Sequence, residues 1–150
     1  MPDPKEEFVS ALFNARNRVR FAMDDKFRPL GVTDASWRAL FYLEQEGDGV
    51  QQKELARAMG IEGPSLVRLL DNLQAKKLIE RKPSPEDRRS NTIHLTAASR
   101  VQLEALHHTA GEVRQNILSD VSDADLDICI NVLRKIITQS REIGADSWSK

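Results

Sequence analysis

A mainly α-helical fold containing a small winged helix-turn-helix unit is predicted by three features of the sequence. Two short helical patterns meet at a turn around Gly60, two strand-like runs follow them, and long helical patterns flank the whole segment. A helix-turn-helix followed directly by a β-hairpin, or wing, is a winged helix. Because a hairpin is the only sheet expected, the fold class is mainly α (α+β).

The first of the two short helices includes Leu55, Ala56 and Met59 and ends at Gly60, which accommodates the positive φ of a tight corner. The second begins at Gly63-Pro64, where proline suits a first helical turn. Its inner face is one apolar stripe made by Leu66, Leu69, Leu70 and Leu73. We predict a recognition helix over residues 63–76, although a helical hairpin inside any bundle gives similar periodicity.

The β-hairpin is predicted from alternating patterns in residues 78–82 and 92–95. Between them lies a polar segment, residues 83–91, which contains two prolines and the adjacent arginines Arg88 and Arg89. This segment is the predicted wing tip. The winged helix-turn-helix unit then occupies residues 33–96, with Thr33 or Asp34 capping its first helix.

These residues resemble the MarR family of bacterial transcription regulators, and its SlyA-like branch in particular. The matching runs are Gly60-Ile61, Pro64-Ser65-Leu66-Val67-Arg68, Leu78-Ile79-Glu80-Arg81, and Asp87-x-Arg89 followed by Leu95-Thr96. With its flanking helices the resemblance covers nearly the whole chain. It implies a homodimeric winged-helix regulator, a repressor or anti-repressor, that is relieved by a small ligand.

Composition and charge fit a DNA-binding protein only after the chain is divided. The 150 residues have a net charge of −1, yet residues 51–96 hold nine bases and six acids, a net charge of +3 against −4 elsewhere. The positive field therefore lies on the predicted DNA-facing unit. No apolar run is long enough to span a membrane, no export signal is visible, and the single cysteine fits a cytoplasmic protein.

Long helices over residues 5–30 and 97–142 are predicted to form a dimerisation bundle. Phe8, Leu12 and Val19 belong to a continuous apolar stripe on the first helix, and similar stripes follow Thr96 and Ser122. These faces have no obvious partner in the chain, so a two-fold related copy is expected to cover them. The alternative is a bundle of all three helices within one chain.

DNA contacts are predicted for the outer face of the recognition helix and for the wing. Arg68 can bond guanine O6 and N7 together, unless it is a surface arginine paired with Asp71. Arg88 or Arg89 can enter a minor groove, and the resemblance implies that Arg89 does so and that Asp87 orients it. The predicted DNA-binding set is Pro64, Ser65, Arg68, Asn72, Arg88, Arg89, Lys53 and Lys82, with Gln52 and Lys76 as phosphate contacts or solvated groups.

A small anionic aromatic ligand is expected from the resemblance to SlyA-like proteins. The positions that match the family's crevice are Trp37, Phe41, Arg16, Arg18 and Arg20, with Arg38 beside Trp37. Aromatic walls beside a guanidinium suit an aromatic carboxylate or its coenzyme A thioester. The alternative is that Trp37 and Phe41 belong to the core.

No catalytic, metal or cofactor site is expected. Cys129 can be a redox switch, but its place on an apolar stripe favours an inert buried thiol. His107 and His108 point about 100° apart on a helix and fit solvated surface residues better than a metal site, and His94 is expected to face outward. The competing functions are a winged-helix module for protein–protein contact and a small-molecule carrier without DNA affinity.

Overall fold

A computed structural model describes residues 1, 3–47, 49–61 and 63–144. The helices are α1 Pro4–Phe27, α2 Asp34–Glu46, α3 Gln52–Met59, α4 Gly63–Ala75, α5 Ala97–Ile117 and α6 Asp123–Gly144, with a 3-10 turn at Arg28–Leu30; the strands are β1 Val50–Gln51, β2 Ile79–Pro83 and β3 Asn91–Leu95. The chain divides into two compact units, Met1–Arg114 and Gln115–Lys150. The winged helix-turn-helix prediction is confirmed for the fold.

The corner between α1 and α2 is built from local hydrogen bonds. Gly31 adopts a left-handed conformation (φ 70°) after the 3-10 turn, and Thr33 caps α2 by accepting from the N–H of Ser36. Asp24 of α1 adds a second cap, since its Oδ1 accepts from the Asp34 N–H at 2.6 Å. Of the two predicted caps, Thr33 and Asp34, the structure therefore has Thr33 as the N-cap, and Asp34 is the first residue of the helix.

The helix-turn-helix is formed by α3 and α4. Glu54 accepts from the Gln51 N–H at the start of α3, and Gly60 ends α3 at φ 62°. Leu55 and Leu70 are fully buried, and Leu66 and Leu73 are 1% exposed. The apolar stripe predicted on the recognition helix therefore faces the core of this unit.

The wing is antiparallel, with Ile79 opposite Leu95 and Pro83 opposite Asn91. A third strand, β1, pairs with β3 and places Val50 opposite Ile93. The sequence prediction of a hairpin alone was therefore incomplete. A two-residue strand has too short a pattern to be recognised, and only pairing with β3 defines it.

Helix α5 completes the core of the first unit. Thr96 caps it by accepting from the Ser99 N–H, as predicted, and donates its hydroxyl to the Lys77 carbonyl at 2.7 Å. Four of its residues are buried with Met23 and Phe27 of α1, namely Leu103, Leu106, Ala110 and Val113. The expectation that these flanking helices lack an intrachain partner is wrong for this part of each, because their stripes complete the winged core.

Helix α6 belongs to the second unit. Ser122 caps it by accepting from the Asp125 N–H at 3.1 Å and donating to the Asp125 carboxylate, as predicted. No residue whose burial is described in α6 is buried. Cys129 is accordingly exposed, so the prediction of a buried thiol is wrong for a single chain. Among the described residues, no helix combines the length and apolar character needed to cross a bilayer.

Candidate nucleic-acid interface

The outer face of α4 carries the residues predicted to touch DNA. Pro64, Ser65, Arg68 and Asn72 are all exposed. Within the described part of the chain, no hydrogen bond or ion pair involves the Arg68 guanidinium. The alternative pairing with Asp71 is not found, because Asp71 binds another arginine. Arg68 therefore presents its full set of donors to solvent.

That other arginine is Arg81 of strand β2, which joins the wing to the recognition helix. Its Nη2 donates to the Asp71 carboxylate, and its Nε donates to Gln74 Oε1 at 2.6 Å. Sequence reasoning missed this role. The alternation of Ile79 and Arg81 predicted a strand but carried no signal for which helix residues the guanidinium would meet.

The wing tip is ordered by a network centred on Asp87. Its Oδ1 accepts from the Arg89 N–H at 2.9 Å, and its carbonyl accepts from the Ser90 N–H at 3.0 Å. Ser84, which is buried, closes the loop by donating its N–H to the Ser90 carbonyl. Asp87 thus fixes the backbone that carries Arg89, while both wing arginines stay exposed and unpaired among the described residues.

The lysines near the recognition helix and the wing differ in the contacts that their side chains make. Lys53 is exposed on α3, and Lys82 lies 3.7 Å from Glu80 in an exposed pair of little energetic weight. Lys76, predicted to be a phosphate contact or a solvated group, is exposed and donates its Nζ to the Gly31 carbonyl. This contact ties the end of the recognition helix to the α1–α2 corner.

Three of the arginines predicted to bind a ligand meet in one groove between α1 and α2. The groove has a volume of about 330 Å³ and is lined by Arg16, Val19, Arg20, Asp34 and Arg38. Arg38 donates its Nε to Asp34 Oδ2 at 3.1 Å. Arg18 does not line the groove. Arg20 also lies 3.8 Å from Asp24, so three guanidinium groups meet two carboxylates, and the remaining positive charge makes the groove suitable for an anion.

The Asp34 carboxylate neutralises only part of the positive charge of these arginines. Burial raises the pKa of its carboxyl, and the like charge of Asp24 raises it further, while Arg38 and Arg20 lower it. The groove therefore combines a positive field with a carboxylate that is itself costly to ionise.

Trp37 and Phe41 do not line this groove, contrary to the predicted grouping. Trp37 packs on Phe27 at a ring-centroid distance of 5.4 Å and stacks on Phe41 at 5.6 Å. Neighbouring positions on a helix point about 100° apart, so Trp37 and Arg38 face different surroundings. The Trp37 indole N–H is buried without a partner among the described residues.

His107 completes this aromatic cluster from α5. Its ring contacts Phe41 edge to face at 5.6 Å, and its Nε2 lies 2.7 Å from Glu44 Oε2. The expectation of a solvated surface histidine is wrong for His107, which is only 35% exposed, and holds for His108, which is 79% exposed. His94 is half-buried, with its Nε2 2.9 Å from Thr92 Oγ1. In the described ranges, no group of three or more histidine, cysteine or carboxylate side chains is placed to hold a metal ion.

Comparison with known proteins identifies the fold and the family. The MarR family model matches residues 30–90. The crystal structure of the transcriptional regulator PA3341 has 32% sequence identity over 90% of this chain and 98% of that chain, with a TM-score of 0.81. A MarR-family regulator from Rhodococcus sp. RHA1 has 20% identity over 91% of this chain and 96% of that one, with a TM-score of 0.83.

A third similar structure was solved with nucleic acid. It is a cysteine-to-serine mutant of MarR from E. coli complexed with operator DNA, 21% identical over 90% of this chain and 99% of that chain, with a TM-score of 0.79. At this identity the similarity shows a shared fold. Taken with the family model and the more similar PA3341 structure, the comparisons show that the chain belongs to the MarR family of winged-helix transcription regulators.

Proposed function

We propose that this protein is a homodimeric, ligand-responsive DNA-binding regulator, a repressor, that reads a near-palindromic operator. The observation that carries the proposal is the arrangement of three arginines. Arg68 on α4 and Arg88 and Arg89 on the wing are exposed and unpaired in the described structure, while Arg81 fastens the two elements that bear them.

In this arrangement the recognition helix and the wing have different tasks. Helix α4 enters the major groove N-terminus first, so that Pro64, Ser65 and Arg68 meet base edges and the nearest phosphates. Asn72 lies further along the same helix. The wing arginines reach the adjacent minor groove or its phosphates, where a narrow A·T tract attracts a guanidinium.

Two observations support DNA as the partner. Positive charge is concentrated in residues 51–96, although the chain as a whole is slightly acidic. In addition, the E. coli MarR structure complexed with operator DNA has the same fold. The wing signature Asp87-x-Arg89 followed by Leu95-Thr96 further favours membership of the SlyA-like branch.

Exposed apolar side chains support a second copy of the chain as a partner. On α1, Phe8 is 41% and Phe13 is 62% exposed; on α6, Ile128 is 63% and Ile137 is 51% exposed. Burying such surface contributes about 25 cal/mol per Å². A two-fold dimer places two recognition helices about 34 Å apart, the pitch of one DNA turn.

The groove between α1 and α2 supports an anionic effector. Arg16, Arg20 and Arg38 bind the carboxylate of an aromatic acid or the charged groups of its coenzyme A thioester. The aromatic ring of the effector is not assigned to Trp37 and Phe41, because Trp37 packs against Phe27 and Phe41 packs against His107. Occupation of the groove stabilises a dimer whose recognition helices have the wrong spacing.

DNA binding is tested with duplexes taken from the DNA adjoining the protein's own coding region. Fluorescence anisotropy at several salt concentrations should give specific binding that weakens steeply as salt rises. Sedimentation in the absence of DNA should give a dimer. A monomer that ignores duplexes at every ionic strength would exclude the proposal and favour a protein–protein contact module.

The effector is tested separately with benzoate and benzoyl-coenzyme A. Either compound should reduce operator affinity of the wild-type protein, and Arg38→Met should remove that response while retaining DNA binding. Lys135→Met on α6 is a control for loss of one surface charge. Effector-insensitive DNA binding by the wild-type protein would contradict the ligand proposal with this probe class and leave DNA binding standing.

A further inference from the structure

Val67 is an exposed, β-branched apolar side chain on the outer surface of helix α4. It is 39% exposed, whereas its neighbour Leu66 is 1% exposed. Valine forms helices less readily than alanine, so this choice at an exposed site does not serve helix stability. A single exposed valine is common on protein surfaces. Its position on the helix is the informative feature.

Val67 begins one edge of the recognition helix. Asp71 and Gln74 continue that edge at intervals of four and three residues, which places the three side chains in a row. Arg81 of the wing donates hydrogen bonds to Asp71 and Gln74. Val67 stays partly exposed, at 39%, next to the unpaired Arg68 and toward the helix N-terminus that is proposed to enter the groove first.

We propose that Val67 reads the C5 methyl group of a thymine in each half of the operator. The thymine methyl is the apolar feature of the major groove, and apolar side chains recognise it by contact. Next to an arginine that reads guanine, Val67 makes the protein specific for a step containing both bases. The inference rests on the proposed DNA binding and adds a specificity-determining residue to it.

The experiment uses the full-length protein and a duplex selected from a random-sequence pool. Each symmetry-related pair of thymines is then replaced by deoxyuridine, which removes only the methyl group. At one pair, wild-type affinity should fall about fourfold per half-site, as expected for one apolar carbon group leaving a contact. Val67→Ala should bind the thymine duplex more weakly and should not distinguish it from the deoxyuridine duplex at that pair.

Val101→Ala is the matched control, since Val101 is a 73% exposed valine on α5. It should keep the wild-type preference for thymine. Specific binding that ignores deoxyuridine at every pair, or a preference that persists in Val67→Ala, would overturn the Val67 inference alone. Failure to select any duplex would instead overturn the proposed DNA binding, and the inference with it.

Discussion

Arg81 on strand β2 binds the Asp71 carboxylate on helix α4 and donates to Gln74 one turn further along that helix. The contact fixes the base of the wing to the recognition helix. It also neutralises an acid on the face proposed to meet DNA phosphates. One guanidinium therefore connects the two elements that are proposed to contact DNA and neutralises a charge that would repel phosphate.

Replacing Arg81 by methionine should weaken operator binding about threefold or more, because Asp71 is then left as an unpaired anion near phosphate. Asp71→Asn in the same chain should restore part of the loss, since it removes that anion. Anisotropy titrations of the two single variants and the double variant measure the coupling. If the effects of the two single variants on operator affinity are strictly additive in the double variant, the contact between Arg81 and Asp71 has no role in binding.

Arg68→Ala should relax specificity at one base pair in each half-site. A bidentate arginine–guanine pair contributes about 1–3 kcal/mol of discrimination, so mutant and wild-type duplexes should become nearly equivalent at that position. Binding to a panel of single-base operator variants measures this. Full discrimination at every position would exclude base reading by Arg68.

Arg89→Ala should weaken binding to all duplexes by a similar factor. It should also reduce the slope of log affinity against log salt by about 1, the change expected for one lost phosphate contact. The matched variant Arg88→Ala shows which wing arginine enters the minor groove. If neither variant changes affinity or slope, the wing does not contact DNA.

Lys77→Gly should stabilise the protein. Lys77 lies between α4 and β2 with φ 59°, a left-handed conformation that favours glycine. Relief of this strain is expected to add up to about 1 kcal/mol to the free energy of unfolding, which urea titration measures. Lys53→Gly, within α3, is the control and should instead destabilise by about 1 kcal/mol. A loss of stability in Lys77→Gly would contradict the strain argument.

The raised pKa of Asp34 predicts a pH dependence of stability. Burial favours the protonated form of the Asp34 carboxyl in the folded state. Its contribution to the free energy of unfolding is therefore fully present at a pH below its ordinary pKa of 3.8. That contribution is lost as pH rises through the folded-state pKa. Asp34→Asn should remove this fall in the free energy of unfolding with rising pH, whereas Asp25→Asn, at an exposed carboxylate, should retain it.

Urea unfolding at successive pH values, together with carbon NMR titration of the Asp34 carboxyl group, checks this prediction. An Asp34 midpoint at or below 3.8 would refute the role assigned to burial.

The sequence alone determined the winged helix-turn-helix fold and the order of its helices. Helix periodicity, the Gly60 corner and the caps at Thr33, Thr96 and Ser122 are local features, so a short stretch of residues specifies each of them. The exposure of Arg68 also followed from the same periodicity, because the opposite face of its helix is a leucine stripe.

Tertiary structure alone decided which distant residues meet. Arg81 and Asp71 are ten residues apart, and Lys76 and Gly31 are 45 apart, with no local pattern that links either pair. Strand β1 exists only through pairing with β3. Trp37 lies outside the arginine groove because its packing partners are Phe27 and Phe41. Helix and cap preferences act within a few residues, whereas packing partners depend on how the whole chain comes together.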